Sequence, residues 1–325
     1  MKIPYYKVGA QLKGSVVKLN ANEGLDFLNK KYKNYPQPQP VSCIRFFSEF
    51  YGVNSDEILM TNGIDGGLDA IFKFVKFKGL NILSFDPTYG YYEILAKQMG
   101  IQYRQEKFLD DGKIPKFKEL IKKTFVVLCR PNNPTGEVCS KEDIFRIIKN
   151  LDEDSYLFID EAYMDFYIKD GELTPLVKNP KILIGRTLSK AIGLAGLRVG
   201  FILGRGELLN EIRCFLPPYP ISSSTIDILN NLIKENYFEK IKNYFPVFKK
   251  RKEKLESIIS DSIYYYQSKA NFISIKSNKA SCYFKKGLEE GLLFRFFEEE
   301  SILRISIPEE KDFDKVLKFF ERVFL

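Results

Sequence analysis

The sequence predicts an α/β fold in which a mainly parallel sheet is covered by helices on both faces. Between about residues 57 and 203, short apolar runs alternate with stretches of helical periodicity. The runs are continuously apolar, which indicates strands that are buried on both sides. At 325 residues, the chain can bury a substantial core as one large domain with an appendage or as two domains.

The predicted strands are six apolar runs, at residues 58–60, 80–85, 125–129, 156–159, 182–184 and 199–203. The segments between these strands show helical periodicity and are predicted to be helices. From about residue 142 to 150, for example, isoleucines at 144, 147 and 148 form one apolar stripe. Ser140 and Asp143 stand three residues apart, as in a capping box at a helix start. This alternation is typical of a doubly wound domain.

The composition changes on either side of this region. Residues 1–27, rich in Gly, Asn and Lys, predict an N-terminal arm, and residues 28–222 the large domain. Residues 223–325 predict a smaller α+β domain. It would contain a long lysine-rich helical stretch over about 224–259, short strands near 272–275 and 303–307, and a closing helix from about Lys311.

Composition also excludes several classes of function. The chain has no histidine, which excludes Ser-His-Asp chemistry and His-ligated metal sites, and we expect no metal. Its five scattered cysteines fit reduced thiols in the cytoplasm. The net charge of +8 is mixed with carboxylates along helical segments, so we expect no nucleic-acid partner. No apolar run reaches the roughly eighteen residues of a membrane span, and the first six residues lack a signal-peptide apolar region.

The segment from Gly185 to Arg198 carries the most chemical information. Lys190 can form a Schiff base with an aldehyde, and pyridoxal phosphate (PLP) is the aldehyde cofactor that uses a lysine in this way. Hydroxyls at Thr187 and Ser189 and the guanidinium of Arg198 could bind its phosphate. Taken alone, the segment also fits a Ser-Lys turn before a small-residue helix.

Upstream segments offer partners for a pyridine ring. Asp160 ends a predicted strand, where it could pair with the ring nitrogen, or simply cap the next helix. Tyr163 could place its phenol near the 3-oxygen of the ring, and Asn133 could bond the same oxygen from the opposite side. Pro134 restricts the backbone of Asn133, so the Asn133 amide is held in one direction. Tyr89 could stack on the ring face, although a core position is the default for an aromatic residue.

A glycine-rich turn between a strand and a helix completes the prediction. Thr61-Asn62-Gly63-Ile64-Asp65 would present free backbone N–H groups at a helix N-terminus, which favours an anion. We assign the cofactor phosphate to the backbone of Ile64 and Asp65.

Together, these motifs resemble fold-type I PLP enzymes, and within them histidinol-phosphate aminotransferases. The resemblance runs from Pro4 to the end of the chain and is densest between residues 19 and 198. It is carried by residues 19–23 (LNANE), 34–36 (NYP), 87–90 (PTYG), 131–136 (PNNPTG), 160–163 (DEAY) and the block from Thr187 to Arg198. It implies a mainly parallel seven-stranded sheet domain, a smaller α+β C-terminal domain and an N-terminal arm.

The resemblance also implies roles for further residues. Tyr35 would reach the phosphate in the partner subunit's site, which implies a homodimer with shared active sites. Arg304 matches an arginine that binds a substrate carboxylate, and Arg295 matches one associated with the phosphorylated substrate. Tyr5 and Asn20 would border the substrate from the arm.

The implied reaction is transamination from an amino acid, most simply glutamate, to a small phosphorylated ketone. Imidazole-acetol phosphate is the family default. A triose-sized ketone such as dihydroxyacetone phosphate is an alternative, because Gly24-Leu25 replaces the Asn-Pro that family members usually carry in the arm. A PLP-dependent decarboxylase of a phosphorylated amino acid and a non-catalytic PLP-fold regulator are the other hypotheses.

Overall fold

A computed structural model describes residue 3 and residues 32–109, 113–117, 119–166 and 173–325. Apart from Ile3, the arm expected over residues 1–27 therefore lies outside the described residues. Within the described ranges, no helix is both long and apolar enough to span a bilayer.

Within these ranges, seven strands form one large sheet. They are β1 (Ile58–Asn62), β2 (Asn81–Asp86), β3 (Tyr103–Lys107), β4 (Thr124–Cys129), β5 (Tyr156–Asp160), β6 (Ile182–Thr187) and β7 (Val199–Gly204). Their spatial order is β1-β7-β6-β5-β4-β2-β3. Strand β7 runs antiparallel to β1 and β6, and the remaining neighbours are parallel. The mainly parallel seven-stranded α/β sheet expected from the sequence is confirmed.

Strand β3 is absent from the apolar runs of the sequence. Its residues, Tyr-Arg-Gln-Glu-Lys, are half-buried or exposed, and it pairs with β2 alone at the sheet edge. An edge strand needs little apolar surface, and charged side chains there discourage pairing with other chains. Hydrophobic patterning could not have identified this strand.

Helices cover both faces of the large sheet and continue into the C-terminal part. They are α1 (Val41–Tyr51), α2 (Gly63–Lys78), α3 (Tyr91–Gln98), α4 (Lys141–Asn150), α5 (Gly206–Arg213), α6 (Ser223–Lys234), α7 (Tyr237–Lys242), α8 (Phe245–Glu256), α9 (Ala280–Glu289) and α10 (Glu310–Val323). Helix α4 begins as its sequence indicated, because the Ser140 hydroxyl accepts a hydrogen bond from the backbone N–H of Asp143 at 3.1 Å.

The stretch expected to be helical over about residues 224–259 is helical, but it is not one continuous helix. The segment forms three helices, α6, α7 and α8. The first break falls at Asn236, whose φ of 57° is left-handed and cannot continue a right-handed helix. The second falls before Pro246, which sits in the first turn of α8, where its missing N–H costs nothing.

The C-terminal part has its own sheet and core. Strands β8 (Phe272–Lys276), β9 (Arg295–Phe297) and β10 (Ile302–Ser306) form an antiparallel sheet in the order β8-β10-β9. Leu255, Leu303 and Phe319 belong to the core of this small unit. Leu229 and Phe238 belong instead to a core of the large sheet. The core therefore changes between Phe238 and Leu255.

Candidate active site

The carboxyl ends of β4, β5 and β6 meet the start of α2 and the small sheet around a cavity of about 160 Å³. This is the edge at which open parallel sheets bind ligands. The sequence suggested a role in cofactor or substrate binding for most of its lining, namely Ile64, Asp65, Tyr89, Asn133, Asp160, Tyr163, Thr187, Ser189, Lys190, Arg198 and Arg304. Cys129 and Ala162 complete it.

Lys190 follows β6 by three residues and lines this cavity. Its Nζ lies 5.3 Å from the ring centroid of Tyr163. Partial burial lowers the pKa of the Lys190 amine, and the positive charge of Arg304 lowers it further. A lysine with a lowered pKa is more often present as the free amine, which is the form that acts as nucleophile and base.

Asp160, the last residue of β5, is 2% exposed at the floor of the cavity. Burial raises the pKa of its carboxyl to about 6, although hydrogen bonds from Tyr92 and from the backbone of Ala162 favour the charged form. The Tyr92 hydroxyl donates to Oδ2 at 2.7 Å, and the Ala162 N–H donates to Oδ1 at 3.1 Å. Asp160 is thus held in place as a carboxylate that is ionised at neutral pH.

The turn between β1 and α2 packs closely against β7. Gly63 has a φ of 64°, and a Cβ there would lie 2.6 Å from Nη2 of Arg198. A Cβ on Gly200 would lie 2.4 Å from the backbone nitrogen of Ile64. Both positions therefore require glycine. The N–H groups of Ile64 and Asp65 fall in the first turn of α2, where they have no carbonyl partner within the helix.

Two side chains at this end of the cavity could bind an anion. The guanidinium of Arg198 donates to Oδ2 of Asp65 at 2.9 Å, beside the α2 N-terminus. The hydroxyl oxygen of Ser189 is buried and has no hydrogen-bond partner within the described chain. A buried hydroxyl without a partner is costly, so a ligand oxygen there would be stabilised. The Thr187 hydroxyl, in contrast, already donates to the Val199 carbonyl at 3.1 Å.

The small sheet contacts the turn that carries Asn133. Arg304 donates from Nη1 to Oδ1 of Asn133, which leaves the amide N–H₂ of Asn133 as its donor group. Ser274 stands directly opposite Arg304 on β8, and its hydroxyl donates to the Pro134 carbonyl at 2.5 Å. Arg304 and Ser274, which are paired across β10 and β8, thus bind the consecutive residues Asn133 and Pro134.

Aromatic rings surround the remaining polar groups. The Tyr163 ring meets Phe272 edge-on at 5.4 Å, and burial raises the pKa of its phenol to about 12. Tyr89 lines the cavity, and its hydroxyl lies 3.4 Å from Oδ1 of Asp65. The Arg304 guanidinium lies between the rings of Phe272 and Phe297, at 5.2 and 5.4 Å from their centroids.

Among the described residues, Arg295 and Tyr35 were also singled out in the sequence, but neither lines the cavity. Arg295 faces Arg304 across β9 and β10, but it is exposed, with its guanidinium 5.5 Å from the Phe297 ring. Tyr35 is 53% exposed and stacks on Tyr219 at 4.4 Å, beside a separate surface hollow. Tyr5 and Asn20 lie outside the described residues.

Sequence reasoning missed two residues that contact the site. Tyr92 is fully buried beneath Asp160, but one tyrosine among nineteen gives no signal of its own. Its position three residues after Tyr89, at the start of a helix that follows a strand, was the available clue. Ser274 lies inside an apolar strand, and its contact with Pro134 depends on long-range packing.

The family model described as Aminotransferase class I and II matches residues 9–320. The chain belongs to this family of PLP-dependent enzymes. It is similar to the histidinol-phosphate aminotransferase of Buchnera aphidicola subsp. Cinara cedri, with 34% identity over 291 residues, 85% of this chain and 82% of that protein. Within the family, the chain is therefore histidinol-phosphate aminotransferase-like, as its motifs indicated.

Solved structures share the fold at lower identity. The histidinol-phosphate aminotransferase from Sinorhizobium meliloti, in complex with pyridoxal-5'-phosphate, has a TM-score of 0.75 and 20% identity, over 90% of this chain and 83% of that one. The L-threonine-O-3-phosphate decarboxylase from Porphyromonas gingivalis has a TM-score of 0.74 and 20% identity, over 90% of this chain and 91% of that one. The same architecture thus occurs in proteins named for two different reactions.

The cavity fits PLP, the cofactor of this enzyme class. The unpartnered Ser189 hydroxyl and the first N–H groups of α2 suit a phosphate. At the other end, the buried carboxylate of Asp160 suits a protonated pyridine nitrogen. Lys190, with its lowered pKa, suits an aldehyde.

Proposed function

We propose that this aminotransferase moves an amino group from an amino acid, in the simplest case glutamate, to a small phosphorylated ketone. The observation that supports this most directly is that Arg304 and Lys190 line one cavity. A guanidinium binds a carboxylate or a phosphate through paired hydrogen bonds, so both substrates could use it in turn. We propose imidazole-acetol phosphate as the acceptor, with a triose-sized ketone such as dihydroxyacetone phosphate as the alternative.

In this proposal, the protein holds the cofactor at both ends. Ile64 and Asp65 would donate backbone N–H groups to its phosphate, and Ser189 and Arg198 would donate from their side chains. Thr187 would join them if its hydroxyl turned from the Val199 carbonyl, to which it donates in the structure, toward the phosphate. Support comes from their common position in the cavity lining and from the unpartnered Ser189 hydroxyl. Tyr89 would stack on the ring, and offset aromatic stacking contributes roughly 0.5–1.5 kcal/mol.

Three further residues would act on the pyridine ring itself. Asp160 would hold the proton of the ring nitrogen, while Asn133 and Tyr163 would donate hydrogen bonds to the 3-oxygen. The amide N–H₂ of Asn133 is suited to this because Arg304 occupies its oxygen. When bound, PLP would act as an electron sink that weakens the bonds at the substrate's α-carbon.

Lys190 would then carry the proton in both half-reactions. Its Nζ would accept the proton from the α-carbon of the amino donor and deliver it to the cofactor carbon, and the second substrate would run this transfer in reverse. The lowered pKa of the amine supports the assignment, because the free amine is the basic form. Since the chain has no histidine, no imidazole could take this role.

We further propose a homodimer with shared active sites. Tyr35 is 53% exposed and stands with Tyr219 away from its own chain's cavity. This supports a role for Tyr35 at a partner's phosphate site. In the arm, Tyr5 and Asn20 would border the substrate.

The test is to assay the purified protein with glutamate and a panel of phosphorylated ketones. We expect 2-oxoglutarate to appear with loss of the cofactor's visible band, and one ketone then to restore the band. Lys190→Ala is the matched control and should give neither change. Release of carbon dioxide from a phosphorylated amino acid, without any keto acceptor, would establish the decarboxylase instead.

A further inference from the structure

Four charged side chains, three of them buried, form a cluster behind the candidate site. Arg130 donates from Nη1 to Oε1 of Glu161 at 3.1 Å, and Nη2 of Arg186 lies 2.6 Å from Oε2 of the same carboxylate. Arg186 also donates from Nη1 to Asp165 at 3.0 Å. Arg130, Glu161 and Arg186 are 1%, 0% and 7% exposed. We call these four residues the charge cluster.

The charge cluster joins the ends of three neighbouring strands. Arg130 directly follows β4, Glu161 directly follows β5, and Arg186 is the last residue but one of β6. Backbone bonds continue the sheet at this level, from the Arg130 N–H to Asp160 at 2.8 Å and from the Glu161 N–H to Gly185 at 2.9 Å. Glu161 is the central member, because its two oxygens contact arginines from the strands on either side.

Each of these three strand ends also carries a residue of the cavity. Glu161 is adjacent to Asp160, Arg186 is adjacent to Thr187, and Arg130 begins the turn that contains Asn133. Because successive residues of a strand point to opposite faces, the cluster lies behind the site while its neighbours line the cavity. A shift of one strand end would therefore move a cavity residue.

Stability alone does not account for such a cluster. Removing charges from water is costly, and apolar side chains of similar volume would often give equal or greater stability. What the charge cluster does provide is a connection between strands, because the Glu161 carboxylate accepts a hydrogen bond from Arg130 at Oε1 and forms a close ion pair with Arg186 at Oε2. The arrangement is suited to holding strand ends in register.

We propose that Glu161 is a positioning residue for the cofactor site: through Arg130 and Arg186 it fixes the ends of β4, β5 and β6. It thereby sets the spacing of Asn133, Asp160 and Thr187 around the cofactor. This inference rests on the proposed cofactor contacts, but it does not depend on which amino acid or ketone the enzyme uses.

The test compares Glu161→Gln with Asp165→Asn by titrating each apo-protein with PLP and recording its urea unfolding. Each variant removes one negative charge from the charge cluster, but Glu161 alone bridges the two arginines. We expect Glu161→Gln to weaken PLP binding by about tenfold or more, because it leaves the two buried guanidiniums without the carboxylate that joins them and so releases the strand ends. Asp165→Asn should keep a PLP affinity close to that of the native protein, because Glu161 still joins Arg130 to Arg186.

Arg130→Gln keeps the test decisive if Glu161→Gln does not fold. It breaks the link to β4 alone and should also weaken PLP binding. The proposal is overturned if a folded Glu161→Gln or Arg130→Gln protein binds PLP as the native protein does. It is equally overturned if Asp165→Asn weakens binding as much as Glu161→Gln, because the cause would then be net charge. Failure of the proposed substrates would leave the PLP titration unchanged, so the two failures are distinguishable.

Discussion

The hydroxyl of Tyr92 donates a hydrogen bond to Oδ2 of Asp160 over 2.7 Å, and both residues are buried. Burial raises the pKa of the Asp160 carboxyl to about 6, and this hydrogen bond works in the opposite direction by favouring the carboxylate. Tyr92 therefore helps to keep Asp160 charged at the pH at which it would pair with a protonated pyridine ring.

Asp160 should make PLP binding depend on pH. Above about pH 6 the carboxyl is ionised, and as the pH falls through about 6 it becomes protonated and loses its attraction for the ring nitrogen. We expect PLP affinity to fall over the same range. Titration of the apo-protein at several pH values measures this, and Asp160→Asn, which cannot ionise, separates its effect from the ionisation of PLP itself. Equal pH profiles for the native protein and Asp160→Asn would contradict the assignment.

Tyr92→Phe should move this transition to higher pH. A hydrogen bond to a charged group contributes about 1.5–3 kcal/mol, so its loss should raise the Asp160 pKa by about one unit or more. The same titration checks the shift. Tyr91→Phe is a control at the neighbouring position, since its hydroxyl does not contact Asp160 in the described structure. A Tyr92→Phe protein with an unmoved transition would show that the hydrogen bond has no influence on Asp160.

Lys190→Ala should abolish the visible absorbance of covalently held cofactor and reduce turnover by orders of magnitude. General acid–base catalysis alone accounts for about 10²–10⁴-fold, and the covalent attachment is lost as well. Absorbance spectra and single-turnover assays with glutamate measure both effects. Lys190→Arg keeps the charge without the nucleophile and should be equally inactive. An unchanged spectrum in either variant would remove Lys190 from its proposed role.

Arg304→Gln should raise the KM for glutamate by about 10- to 100-fold, since a charged hydrogen-bond pair is worth about 1.5–3 kcal/mol. Arg295→Gln is the matched control, because it removes the arginine opposite Arg304 on the neighbouring strand but outside the cavity lining. We expect its KM for glutamate to stay near the native value, with any effect confined to the phosphorylated acceptor. If both variants raised the KM for glutamate equally, the cause would be the loss of one positive charge and not a specific contact between Arg304 and the substrate carboxylate.

Gly136→Ala should destabilise the turn that carries Asn133. Its φ is 78°, and a Cβ there would lie 2.1 Å from Oγ and 2.9 Å from Cα of Ser268. A left-handed backbone costs a non-glycine residue about 1–3 kcal/mol, and the clash adds to this cost. Gly52→Ala provides the control, because Gly52 has a φ of 68° but no atom within 4 Å of the added carbon. Urea unfolding of both variants should show a clearly larger loss for Gly136→Ala.

The sequence by itself determined the sheet class and the order of the motifs around the cavity, and it singled out the lysine for which we propose the central chemical role. Those features are local: continuous apolar runs mark strands buried on both faces, and polar residues that follow such runs must lie at one edge of a parallel sheet. The strand sequence of β5, followed by Asp160, illustrates this.

Only the tertiary structure decided which distant residues meet. Tyr92 and Asp160 are 68 positions apart, and Ser274 and Pro134 are 140 apart. The charge cluster likewise joins residues from three strands whose charges resemble ordinary surface residues in the sequence. Edge strand β3 was missed because an edge strand needs little apolar patterning. The sequence indicated a helical stretch over α6 to α8 but not its breaks, one of which falls at the left-handed residue Asn236. Contacts between elements depend on how the chain packs in three dimensions, and no local pattern encodes that.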